Sequence, residues 1–76
     1  MSTEPAVTGR EAIRVLRKLG FSLDRIAGSH HVLVKNGHPT SVVVPLHGSR
    51  PLPRGTLASI IRMAGLSRKQ FFANLS

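Results

Sequence analysis

Two runs rich in β-branched residues, His30 to Lys35 and Thr40 to Val44, are separated by Asn36-Gly37 and then His38-Pro39. Asn-Gly between such runs predicts a two-residue hairpin turn, because both central positions then take positive φ, which Gly adopts freely and Asn tolerates. A hairpin commits the chain to an antiparallel sheet, and the rest of 76 residues must cover one face of it. His38-Pro39 delays the return strand, and Pro45 is expected to end it, since proline cannot donate to a central ladder. A weaker strand is expected just after Gly20, where Phe21, Leu23 and Arg25 alternate with Ser22, Asp24 and Ile26 before Gly28-Ser29 breaks the run.

Helices flank these strands. Thr8-Gly9-Arg10-Glu11 fits a capping box, in which the Thr hydroxyl takes an orphan backbone N–H and Glu11 reaches back to Thr8. Ala12, Ile13, Leu16 and Leu19 follow at helical spacing with Val15 at the stripe edge, and Arg10, Arg14, Arg17 and Lys18 fill the other side. The helix is expected over about Gly9 to Leu19, closed by Gly20. Leu46 to Arg54 reads as a loop. Gly55-Thr56 opens a second helix with the stripe Leu57, Ile60, Ile61 and Ala64, closed by Gly65. Ser67 with Gln70 makes a second capping box and a short last helix, from which Phe71, Phe72 and Leu75 can pack back on the core.

The expected fold class is α+β: a three-stranded antiparallel sheet packed on helices, in the order α-β-β-β-α with an extra short C-terminal helix. The first five elements have the order of the double-stranded RNA-binding domain. Met1 to Val7 shows no period and is expected to be a flexible lead-in, with residues 8–76 forming a single domain. A sheet covered on one side leaves its other face available for binding.

Composition narrows the function. Eleven Lys and Arg against three acids give a formal charge of +8, which points to a polyanionic partner. Without cysteine there is no disulfide frame, no thiolate zinc site and no cysteine nucleophile. Three scattered acids supply no carboxylate pair for glycosidase-type chemistry or for holding Mg²⁺. No apolar run is long enough to span a membrane and the N-terminus lacks a secretory pattern, so a cytoplasmic location is expected.

Histidine remains. His30 and His31 are adjacent on an expected strand, so they point to opposite faces, and they follow Gly28-Ser29, whose backbone can approach a ligand closely. Histidine exchanges protons near neutral pH. RNA carries its own nucleophile, the 2′-hydroxyl, so a protein that cleaves it needs only a proton acceptor, a proton donor and positive charge near the phosphate. A metal-independent ribonuclease with no cofactor is the least demanding enzyme this composition permits, and either histidine could serve it. Zinc binding is not expected from this spacing. His38 reads as an exposed turn residue. His47 stands where it could meet phosphate or the site. Lys35, Arg50 and Arg54 are the expected phosphate contacts. The alternative reading is a non-catalytic double-stranded RNA-binding module, which would tolerate loss of the histidine pair.

The sequence also resembles the HicA toxins of bacterial toxin–antitoxin pairs. The resemblance lies in Gly28-Ser29-His30-His31, in Val42-Val43-Val44-Pro45-Leu46-His47, in Leu52-Pro53-Arg54-Gly55-Thr56-Leu57 and in Ile60-Ile61-Arg62-Met63-Ala64-Gly65-Leu66-Ser67, with Arg17-Lys18-Leu19-Gly20-Phe21 before them and Phe71 and Leu75 after. It covers about residues 8 to 75. It implies a small endoribonuclease that cleaves messenger RNA and stops translation. It further implies dependence on one histidine of the Gly-Ser-His segment, here His30, with His31 as the alternate or assisting group. A HicB-like antitoxin would cover that histidine and hold the toxin silent.

Overall fold

The computed structural model describes residues 5–75. In chain order the elements are α1 (Gly9–Lys18), β1 (Ser22–Ala27), β2 (His30–Val34), β3 (Val42–Pro45), α2 (Arg54–Met63) and α3 (Arg68–Ala73). The three strands form one antiparallel sheet in the order β1-β2-β3, and the fold is the expected α+β arrangement.

Both capping boxes form. Thr8 Oγ1 accepts from the Glu11 N–H at 3.1 Å while the Thr8 N–H donates to Glu11 Oε1 at 2.9 Å. Ser67 and Gln70 repeat the exchange at the start of α3. Each satisfies two helix-end donors that would otherwise need water.

Leu33 of β2 and Val42 and Val44 of β3 are fully buried beneath Ala12, Val15 and Leu16 of α1 and Leu57, Ile60 and Ile61 of α2. Phe71 of α3 is also fully buried and Phe72 partly so, as the last-helix reading requires. Burial of each large side chain contributes about 1.5–3 kcal/mol, which is what a domain without cross-links has to draw on.

Four details differ from expectation. First, the β2–β3 connection is not a two-residue hairpin. The His38 N–H donates to the Lys35 carbonyl at 3.0 Å, and Gly37 has φ 80° while Asn36 does not enter the positive-φ region. Positive φ at the third turn position alone is the type II pattern, and β3 starts at Val42, two residues beyond the expected Thr40. Second, Pro45 belongs to β3 and pairs with His30. The Leu46 N–H donates to the Ser29 carbonyl at 2.7 Å, so the alternating ladder turns the Pro45 nitrogen to the outer edge, where no donor is needed.

Third, β1 carries a bulge: Leu23 pairs with Leu33 and Arg25 with Val32, leaving Asp24 as the extra residue. Leu23 and Ile26 therefore share the helix-side face, and Arg25 turns to the open face. Fourth, Val7 is buried in the core and its carbonyl accepts the Leu52 N–H at 2.7 Å, so the ordered chain includes the last residue of the expected lead-in. Met1 to Glu4 of that lead-in lie outside the described residues.

Candidate active site

Strand register sorts the two adjacent histidines. His31 pairs with Val44 and lies two residues from Leu33, so it shares the helix-side face. It is half-buried, and its Nδ1 is buried with no hydrogen-bond partner among the described residues. His30 is exposed on the open face, between Ala27 of β1 and Pro45 of β3. The His30–Pro45 pair is of the non-hydrogen-bonded kind, in which Cα atoms approach to about 4.5 Å and the side chains lie closest.

The end of the sheet that carries His30 is held by close packing. A Cβ on Gly9 would lie 2.6 Å from the Pro45 carbonyl oxygen and 3.0 Å from a Leu46 methyl, so only glycine lets the start of α1 approach β3 this closely. Thr8 bridges to Pro51, and Val7 holds Leu52. The loop after β3 is thereby pinned beside Pro45.

A cavity of about 150 Å³ opens in that loop, lined by Pro45, His47, Arg50, Pro51, Leu52 and Pro53. Pro45 thus joins three of the expected site residues: it is the strand partner of His30 and forms a wall shared with His47 and Arg50. Arg54 lines a different cavity, of about 210 Å³, together with Arg68, Val7 and Leu57, with Leu52 common to both. Arg54 also begins α2, whose first turn has neither a side-chain cap nor an acidic residue, leaving N–H groups that favour an anion.

Lys35 is not brought to this end. It follows β2, roughly 16 Å from His30 at about 3.3 Å per residue, and its Nζ sits over the Phe21 ring at 5.6 Å. Arg25 is the residue that strand alternation alone misses. Paired with Val32 and two residues from Ala27, it shares the open face with His30, and its guanidinium holds Asp24 at 3.1 Å in an exposed ion pair. The only sequence signal for it is the bulge, which alternation does not reveal.

Two basic residues of α1 are turned to structural use. Arg14 donates to the Leu75 carbonyl at 3.3 Å and Lys18 to the Asn74 carbonyl at 3.2 Å, where cations suit the C-terminal end of α3. Among the described residues no three His, Asp or Glu side chains gather in a way that could hold a metal ion. None of the described helices is long and apolar enough to cross a membrane.

The site is therefore an exposed histidine on the open sheet face, with Arg25 on the same face and its strand partner Pro45 lining a cavity with His47 and Arg50, in a chain of formal charge +8. Such an arrangement can exchange a proton beside a bound anion without assembling a buried charge network. In comparison with known proteins, a family model described as the HicA toxin of bacterial toxin–antitoxin matches residues 9–66. No curated protein matches the chain.

Proposed function

The chain belongs to the HicA toxin family, a toxin that pairs with an antitoxin, and from that premise we propose that it is a metal-independent endoribonuclease acting on messenger RNA in the cytoplasm. The observation that supports this reading most is the placement of His30: exposed, on the open face, across from a proline wall that continues into His47 and Arg50.

In this reading RNA lies over the open end of the sheet with a phosphate near His30. The His30 imidazole takes the proton from the 2′-hydroxyl, and the 2′-oxygen attacks the adjacent phosphorus. The 5′-oxygen leaves with a proton supplied by His47 or by water, giving a 2′,3′-cyclic phosphate and a free 5′-hydroxyl. Arg50 and Arg25 meet the growing charge on the phosphoryl oxygens. His31, on the opposite, helix-side face, takes no part in the proton transfer. Arg54 and the start of α2 hold a neighbouring phosphate, and Lys35 meets the strand farther along.

The same face suits an antitoxin of the HicB kind. A partner with an acidic surface laid over His30 would exclude RNA by occupying its site.

The test is incubation of the purified chain with messenger RNA in excess EDTA, beside His30→Ala and His31→Ala, each checked for folding. Cleavage that survives EDTA and is lost in folded His30→Ala supports the assignment. A folded wild-type chain that binds RNA and leaves it intact would instead be a non-catalytic double-stranded RNA-binding module.

A further inference from the structure

The cavity bounded by Pro45, His47, Arg50, Pro51, Leu52 and Pro53 is more than a phosphate contact requires. Phosphate is met by cations and N–H groups on an open surface. Here three prolines and Leu52 supply the apolar part of the lining, and His47 and Arg50 the polar part. Rigid apolar walls with a few polar groups are what a flat, partly polar ring needs.

We propose that this slot takes a single unpaired pyrimidine base of the RNA strand, adjoining the phosphate that His30 addresses. The inference rests on the ribonuclease reading above and extends it to the substrate's form. Three observations carry it. The slot shares Pro45 with the His30 pair, so a nucleotide whose phosphate lies at His30 has its base within reach of the slot. Its volume of about 150 Å³ is of the size that holds one benzene-like ring, which matches the six-membered pyrimidine ring better than the bicyclic purine. The +8 chain and the exposed Arg50 favour an anionic polymer over an apolar peptide as the source of that ring.

A base in this cavity cannot remain paired, because about 150 Å³ holds one ring and not a base pair. The substrate is then a single-stranded or bulged segment with a pyrimidine beside the cleaved bond. Arg50, which lines the same cavity, holds the phosphate that His30 addresses.

The experiment measures binding without cleavage. Fluorescence anisotropy with labelled 2′-O-methyl oligouridylate, oligocytidylate and oligoadenylate uses probes that lack the attacking hydroxyl. The wild-type chain is expected to bind the pyrimidine probes about tenfold tighter than oligoadenylate, the scale of one good base contact. Pro51→Ala and Pro53→Ala, made separately on exposed positions, should reduce that ratio toward one while binding to oligoadenylate stays near its wild-type strength. Arg50→Ala should weaken all probes alike. Equal wild-type affinity for all probes, or a ratio untouched by either proline variant, overturns the slot. If messenger RNA is still cleaved in that case, the ribonuclease reading stands without it. A pyrimidine preference with no cleavage would keep the slot and remove the catalysis, and failure to bind any probe removes both.

Discussion

His38 Nε2 lies 2.7 Å from the Met63 carbonyl oxygen, which ties the β2–β3 connection to the C-terminal end of α2. The ring also meets Phe21 edge to face at 5.2 Å, and Gly65, at φ 72°, leaves it room: a Cβ there would sit 3.2 Å from His38 Cε1. The expected turn residue is therefore a half-buried clamp. His38→Ala should destabilise the chain by about 1–2 kcal/mol, the sum of one modest hydrogen bond and one aromatic contact. Urea unfolding followed by circular dichroism measures this, and a loss below about 0.3 kcal/mol would mean the clamp adds nothing beyond solvent.

The two adjacent histidines should separate function from stability in opposite directions. His30→Ala, on the exposed face, is expected to leave the unfolding midpoint within about 0.5 kcal/mol of wild type and to lower cleavage by about a hundredfold or more. His31→Leu removes a buried nitrogen that has no partner among the described residues. It should match or exceed wild-type stability, since an unsatisfied buried polar atom costs about 1–3 kcal/mol, and should keep cleavage. The reverse pattern, with activity lost only in a folded His31→Leu, would move catalysis to the helix-side face.

Sequence patterning made some of this legible and left other parts hidden for identifiable reasons. The capping boxes at Thr8 and Ser67 were readable because four consecutive residues carry the whole interaction. The opposite orientation of His30 and His31 followed from the twofold period of a strand. Which of them faces the core did not, because that depends on the pairing of His31 with Val44. Arg25 escaped because one extra residue, Asp24, inverts the alternation beyond it. The roles of His38 and Gly9 depend on groups far away in sequence, the Met63 and Pro45 carbonyls, which no local pattern announces.

Gly9 should prove intolerant of any side chain. Its virtual Cβ falls 2.6 Å from the Pro45 carbonyl oxygen, a backbone atom that cannot swing aside as a side chain would. Gly9→Ala gains helix propensity of up to about 1 kcal/mol but must push α1 from β3, at an overpacking cost of about 1–3 kcal/mol. Net destabilisation is expected. Because Pro45 is the strand partner of His30, cleavage should also fall in the fraction that remains folded. Thermal melts with parallel cleavage assays read both effects, and a stabilised, fully active Gly9→Ala would show that the approach of α1 is not tight.

Acid should loosen the start of α1 through Glu11. The Thr8 N–H bonded to its carboxylate holds the Glu11 pKa below the ordinary glutamate value, helped by the Thr8 hydroxyl and the charge of Arg14 and opposed by burial. Because the folded pKa lies below the unfolded one, the ionised carboxylate stabilises the fold. That contribution is complete above the unfolded value and disappears as pH falls through the folded one. Glu11→Gln keeps a group able to accept from Thr8 but cannot titrate, so its stability should fall less steeply than wild type between neutral pH and about pH 3. Thr8→Ala removes the whole box and should cost about 1 kcal/mol at neutral pH, with a shallower acid limb as well. Urea midpoints of the three proteins across that range decide it: parallel acid limbs in wild type and Glu11→Gln would place the acid sensitivity elsewhere in the chain.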